Sequence, residues 1–390
     1  MMKGPDLTEL VDSDRKDILS VCLDVDPAKA ENQHAIPAYR IWARHAVREI
    51  VDGLPRTVRR HGKDAATRIL ACIDALHPEG RGLALFAGRR FWREYMLSVP
   101  IRNRVRYGRP DVLPVLAALD EYKPYAILAA YRDHASLFTA SLGRTALLLQ
   151  ETLDLDTSDW RFASGRQPTH ARATGTGAGR GLQGDTFEAR VDEHVRRFWS
   201  AAAEAAAHAL DGLGIDRLII AGPEEGVHAV RASLPASQQR KVVGLVPLPA
   251  YAGWAEIRNR TLPVALAEEH RRDAELVQSV VERAATKSGA VVDSAATLEA
   301  LMKGRALTVV MRWDYDDMAW ECPRCGYVDV LGVDACPTCG GPMDATTLSL
   351  LLPRLVRRCG AELQLVGEPA AARFHPHEPV GALLRYTPSG

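Results

Sequence analysis

The sequence predicts a layered α/β protein of three domains, and three observations carry that prediction. Short apolar runs of strand length alternate with segments of helical period along 390 residues, the pattern of helices packed on sheets. Hydrophobic residues make up 47% and charged residues 25%, which is enough apolar material for two or three cores and gives no sign of general disorder. Two Cys-x-x-Cys pairs, Cys322/Cys325 and Cys336/Cys339, interrupt the last such alternation and do not end it.

Taken in order, 17–25 reads as a buried strand (Ile18, Leu19, Val21, Leu23, Val25), and Asp26-Pro27 opens a loop into a helix over 38–51. Pro55 breaks that helix, and a second over 64–76 ends before Pro78. Strands over 82–87 and 91–99 follow, and a helix over 112–121 runs into Lys123-Pro124, closing a first domain of 1–122. Strands near 125–131, 135–140 and 145–153 open a middle domain of 123–253. A helix over 186–212, a strand at 216–221, a helix over 226–233 and a strand at 241–246 complete it. The third domain, 254–390, begins with a long charged helix over 254–287. It continues through 289–292, a helix over 295–303, a strand at 306–311, a helix over 347–359 stopped by Gly360, and strands at 362–366 and 381–386.

Met1 to Asp17 carries no apolar leader and no apolar run reaches membrane-spanning length, so a cytoplasmic protein with no membrane partner is expected. Cys22, Cys72 and Cys359 sit singly in apolar surroundings and are expected as buried thiols.

In Cys322-Pro-Arg-Cys325-Gly and Cys336-Pro-Thr-Cys339-Gly-Gly, each tight turn presents two thiolates, and the following glycine supplies the backbone freedom the turn needs. Two such turns facing one another complete a tetrahedral site, a zinc ribbon inserted over 319–345. The competing readings are a pair of disulfides or a redox dithiol, and duplicated knuckles suit neither. With four protein ligands the metal has no open position, so Zn2+ is expected as structure and not as catalyst.

The formal net charge is zero, so any nucleic-acid surface must come from local segregation of charge. Between Arg89 and Arg109 stand seven arginines (89, 90, 93, 102, 104, 106 and 109) against one acid, Glu94, interleaved with Phe91, Trp92, Tyr95 and Tyr107. Arginines among aromatics suit RNA phosphates and unstacked bases, and the competing reading is a solvated strand edge. Acids surround the cysteines instead: Asp314, Asp316, Asp317, Glu321, Asp329, Asp334 and Asp344. The segment 161–184 holds Arg161, Arg166, His170, Arg172 and Arg180, no acid, and six glycines, a cationic loop able to approach a phosphate backbone or else an inconsequential surface loop. His375 and His377 flank Pro376 with no other ligand nearby and read as surface residues. No Walker or Rossmann spacing, catalytic triad order or H-E-x-x-H is present.

Several stretches, in this order, carry a family resemblance. They are Arg81-Gly-Leu-Ala-Leu-Phe-Ala87, Leu119-Asp-Glu-Tyr-Lys-Pro-Tyr125, Ala135-Ser-Leu-Phe138, Leu218-Ile-Ile-Ala-Gly-Pro223, Thr297-Leu-Glu-Ala-Leu-Met-Lys-Gly304 and Pro379-Val-Gly-Ala-Leu-Leu-Arg-Tyr386. Together they resemble the archaeal and eukaryotic class I release factor and Pelota family, in its bacterial branch of Balon-like ribosome hibernation factors. The resemblance implies an N-terminal domain directed at the decoding site, an RNase H-like middle domain, and a C-terminal domain similar to kink-turn-binding proteins with the zinc ribbon inside it. It also implies the ribosomal A site and an EF-Tu-like GTPase as partners, for a chain that is monomeric off the ribosome.

Release factors of the family place a Gly-Gly-Gln tripeptide in the peptidyl transferase centre; here the corresponding residues are Gly181-Leu182-Gln183, and the stop-codon motifs NIKS and YxCxxxF are absent. A leucine disfavours the glycine-only backbone and adds bulk in a crowded RNA cavity, so a hibernation factor without catalytic residues is the expected function. A rescue or release factor acting through Gln183, and a zinc-stabilised interaction module unrelated to translation, are the alternatives.

Overall fold

A computed structural model of the chain describes residues 6–153, 181–249, 251–374 and 379–386, with the backbone alone for 181–190. The chain forms two compact units, Pro124–Ala267 and a larger one in which Met2–Lys123 and Glu268–Gly390 come together. The first division falls one residue from the expected domain boundary. The second lies inside the long helix that was expected to open the third domain.

In the larger unit the N-terminal part begins with a short helix α1 (Thr8–Val11) and then β1 (Ile18–Asp24), α2 (Ala38–Gly53), α3 (Arg56–Ala75), β2 (Gly82–Gly88), β3 (Phe91–Leu97), β4 (Arg104–Gly108) and α4 (Leu113–Glu121). The strands form one antiparallel sheet in the order β3-β2-β1-β4. β2 is buried along its whole length and β1 all but its last residue, as their unbroken apolar runs require. Two helical stripes cover the sheet, Tyr39, Ala43, Val47 and Val51 on α2 and Ala65, Ala66, Ile69 and Ile73 on α3. The proline that ends α2 also starts α3: Pro55 is its N-cap, where a missing N–H costs nothing, so α3 begins eight residues before the expected position.

The smaller unit contains β5 (Tyr125–Ala130), β6 (His134–Ser141), β7 (Arg144–Thr152), α5 (Gly181–Asp211), β8 (Leu218–Gly222), α6 (Glu224–Ser233), α7 (Ala236–Gln239) and β9 (Val242–Pro247). Its sheet runs β7-β6-β5-β8-β9, antiparallel through the hairpins and parallel across β5, β8 and β9. Helices α5 and α6 pack one face around the fully buried Trp199, whose indole donates to the Tyr131 carbonyl at 2.8 Å. The other face meets the first half of α8 (Trp254–Ala285) through Ile257 and Ala265.

The remaining elements return to the larger unit: β10 (Ala290–Val292), α9 (Ser294–Met302), β11 (Ala306–Arg312), the small strands β12 (Met318–Glu321), β13 (Val328–Asp329) and β14 (Asp344–Thr347), α10 (Leu348–Cys359), β15 (Glu362–Val366) and β16 (Val380–Leu384). Their main sheet has the order β10-β16-β11-β15, with β11 and β15 parallel. Parallel neighbours need a crossover, and α10 supplies it, with the β13-β12-β14 ribbon inserted just before that helix. One face of the sheet packs on Val277 and Val280 of α8, the other on α9 and α10. Leu113 of α4 is buried in that second core, so the N-terminal part contributes to the hydrophobic centre of the C-terminal sheet.

A tetrathiolate centre and the arginines packed beside it

The two knuckles have the same backbone. The Cys322 amide donates to the Tyr327 carbonyl and the Cys336 amide to the Gly341 carbonyl, both at 2.8 Å, while Gly326 and Gly340 return hydrogen bonds to Cys322 and Cys336. Gly326 and Gly340 have φ of 75° and 67°, the left-handed conformation that accounts for glycine at both positions. The four Sγ atoms lie within 4.8 Å of one another, Cys322 to Cys339 and Cys325 to Cys336 at 3.5 Å each, and none is in a disulfide. A tetrahedron of thiolates at about 2.3 Å from a central ion needs sulfur separations of roughly 3.8 Å, so the cluster fits a tetrathiolate metal centre. Cys322 and Cys336 are buried, Cys325 is exposed, and no fifth donor is offered by this set.

Beside the ribbon lies a network of charges that the sequence kept apart. In β4, Val105 and Tyr107 turn toward the α2–α3 core, which leaves Arg104 and Arg106 on the opposite face. Both pair with buried Asp111, at 2.8 and 3.2 Å, and both reach Asp316, Arg104 at 3.7 Å. Arg106 also donates to the Thr347 hydroxyl at 3.0 Å. Arg109 meets Glu321 at 2.5 Å, and Arg354 of α10 holds the other oxygen of the same carboxylate while reaching Asp14 at 2.5 Å. Glu321 is the residue before Cys322, and Lys16 completes the seam by pairing with Asp344. Arg104, Arg106, Arg109 and Arg354 are 14%, 17%, 10% and 5% exposed, so their charges are spent on protein carboxylates.

This corrects the expectation of two separate charged surfaces. The acids at the base of the ribbon face the chain's own arginines, and the ribbon is seated on the N-terminal part. Of the twelve residues expected to bind RNA, Arg104 and Arg106 are held in this seam, and Arg102 lies 3.9 Å over the Trp313 ring with its outer edge exposed. Arg89, Arg90 and Arg93 are exposed at the opposite edge of the same sheet. Arg161, Arg166, His170, Arg172 and Arg180 lie outside the described residues, as do His375 and His377. Gln183 stands in the backbone of the first turn of α5, which begins at Gly181, so Gly181-Leu182-Gln183 opens a helix where a loop through Gly184 was expected. Cys22 is buried as expected, whereas Cys72 and Cys359 are only partly so.

A second polar cluster went unread in the sequence. Lys123 sits 2.8 Å from Asp120, 3.0 Å from Glu269 and 2.8 Å from the Gln364 side-chain oxygen. The Gln364 amide donates to Asp273 at 2.9 Å, and Asp120 accepts the Leu365 amide at 2.8 Å. Burial, and then the charges of Glu269 and Asp120, push the Asp273 carboxyl up to about 7. Its signal was present as Glu269 and Asp273 spaced four apart on one helix face, but their partners lie far away in sequence.

Fold and site define a class, a multidomain α/β protein with a tetrathiolate ribbon built into the crossover of its last sheet. Residues 110–266 match the family described as bacterial archaeo-eukaryotic release factor family 10. That match over the middle of the chain agrees with the sequence resemblance to the bacterial branch of the release factor and Pelota family. Similar solved structures include an archaeal translation termination factor, aRF1, at 16% identity over 97% of this chain and 96% of that one, with a TM-score of 0.27. Ribosome-bound archaeal Pelota, described with ABCE1, is 12% identical over 98% and 94% at a TM-score of 0.42. Dom34 of S. cerevisiae is 9% identical over 82% and 77% at 0.39. Likenesses of that strength decide nothing about activity. No curated protein matches the sequence.

Proposed function

We propose that the protein is a ribosome-binding translation factor that occupies the A site and holds ribosomes idle, without hydrolysing peptidyl-tRNA. One feature supports the reading: inside the segment that matches the release factor family, the sequence resemblance sets Gly181-Leu182-Gln183 where release factors carry Gly-Gly-Gln. Leucine at the middle position opposes the backbone freedom and the small volume that water delivery to the ester would need. Binding requires neither, so the family's ribosomal role survives while its chemistry is lost. Zn2+ on Cys322, Cys325, Cys336 and Cys339 holds the ribbon, which keeps Glu321 and Asp344 in register with the arginines and lysine they neutralise. An EF-Tu-like GTPase is the proposed delivery partner, and the compartment is the cytoplasm; among the described residues no helix is long and apolar enough to cross a membrane.

Two measurements on one preparation test this. Purified protein should co-sediment with ribosomes from stationary-phase cells in a salt-sensitive manner, and should release no labelled peptide from stalled ribosomes. Release that disappears in Gln183→Ala would replace hibernation by rescue, and binding to a protein partner without any to ribosomes would remove the protein from translation.

A further inference from the structure

The opposite edge of the N-terminal sheet presents a different use of arginine from the buried seam. Gly88 pairs with Phe91, so β2 and β3 are joined by a two-residue turn, Arg89-Arg90. Arg90 has φ of 54°. That conformation is ordinarily filled by glycine or asparagine, and a long side chain there is held at a conformational cost. Both side chains are exposed, and among the described residues neither guanidinium has a carboxylate partner.

Around the turn the sheet adds more of the same chemistry. Arg15 and Arg93 lie 5.3 and 5.2 Å from the Phe91 ring, and Arg68 lies 5.2 Å from the Trp92 ring. Arg68 is fixed there by the carbonyls of Gly88 and Phe91, to which it donates at 3.0 and 3.2 Å. The carboxylates present are Asp17 on Arg15 at 2.9 Å, Glu9 on Arg93 at 2.7 Å, and Glu94, which the Cys72 thiol contacts at 3.8 Å. Of the five guanidinium groups here, Arg15 and Arg93 are held by carboxylates and Arg68 by two backbone carbonyls, whereas the two at the tip are held by neither.

We infer that the Arg89-Arg90 turn, with Arg68 and Arg93 behind it, is an RNA-backbone contact in which the two tip guanidiniums bind phosphates. Planar guanidinium groups match phosphate oxygens in pairs, and cations flanking partly exposed rings suit a backbone whose bases can stack nearby. A backbone strain kept at an exposed turn, where glycine or asparagine would relieve it, points to a use for the side chain. The inference rests on the ribosome-binding reading and names one surface through which that binding occurs.

The test compares full-length protein with Arg89→Ala/Arg90→Gly and Arg89→Lys/Arg90→Lys in co-sedimentation with purified ribosomes from 50 to 300 mM KCl. The Ala/Gly variant should melt no lower than the parent, because glycine suits the φ of residue 90. Two lost phosphate contacts should make its plot of log affinity against log salt shallower by about two, with the lysine variant close to the parent. If the parent itself fails to sediment, the ribosome-binding reading falls. If parent and Ala/Gly variant bind alike at every salt concentration, that reading stands and the turn's role is refuted. Weaker binding with an unchanged slope would mean that the tip meets protein and would overturn the RNA assignment.

Discussion

At the scale of single residues, Glu321 is the most consequential acid in the chain. It accepts Arg109 and Arg354 while 7% exposed, so its removal would leave two largely buried cations with only the exposed Asp14 as counter-charge. Breaking a buried pair from one side costs about 3–5 kcal/mol, and Glu321→Ala should lower the unfolding free energy by that much. Arg93→Ala, which removes an exposed pair with Glu9, should change it by less than about 1 kcal/mol. Thermal melts of the full chain place the two in order, and equal melting temperatures would show that the seam contributes nothing. The cysteine positions were readable because a knuckle is local: ligand, turn and glycine lie within five residues. The seam was not, because Arg109 and Glu321 stand 212 residues apart, and charge runs read along the chain cannot show which runs meet in space. Arg354 had a signal in hindsight, a lone cation among Leu351, Leu352 and Leu355 on the apolar face of α10.

At the scale of elements, apolar runs located the strands closely; β15 spans 362–366 as read. β4 was missed because its alternation places arginines, not solvent-facing polar residues, opposite Val105 and Tyr107, and the pattern resembled an RNA-binding run. The end of β8 is set by crowding: Gly222 has φ of 142°, and a Cβ there would lie 2.1 Å from the Ala130 carbonyl oxygen. Gly222→Ala should therefore destabilise its unit by about 1–3 kcal/mol or more through strain and overpacking, seen as lowered resistance to limited proteolysis. In the ribbon, Cys336→Ser should abolish stoichiometric zinc. A variant that still carries one zinc per chain would show that three thiolates suffice.

At the scale of the molecule, both places where the chain leaves and re-enters the larger unit are tied by one buried cluster. Lys123 is the last residue before the first crossing, and its partner Glu269 is the second after the return. Asp273 in that cluster titrates at about 7, well above the ordinary carboxylate, so the folded state binds a proton that the unfolded chain has already released. Stability should then fall as pH rises from about 4 to about 7 and level off beyond. Asp273→Asn keeps an acceptor for Gln364 without the charge; it should flatten that slope and melt higher than the parent at pH 8. An identical pH profile in the variant would assign the slope to other groups. The seam between the ribbon and the N-terminal sheet has a further consequence, in the order of synthesis. The sheet leaves the ribosome complete in its backbone pairing, yet Asp316, Glu321 and Asp344 are translated some two hundred residues later, a delay on the order of ten seconds or more. For that interval Arg104 and Arg106 have Asp111 but not Asp316, and Arg109 has Asp14 but not Glu321, so the nascent chain is transiently more cationic and less stable than the finished protein, and its first domain reaches its final state only after the last one has folded.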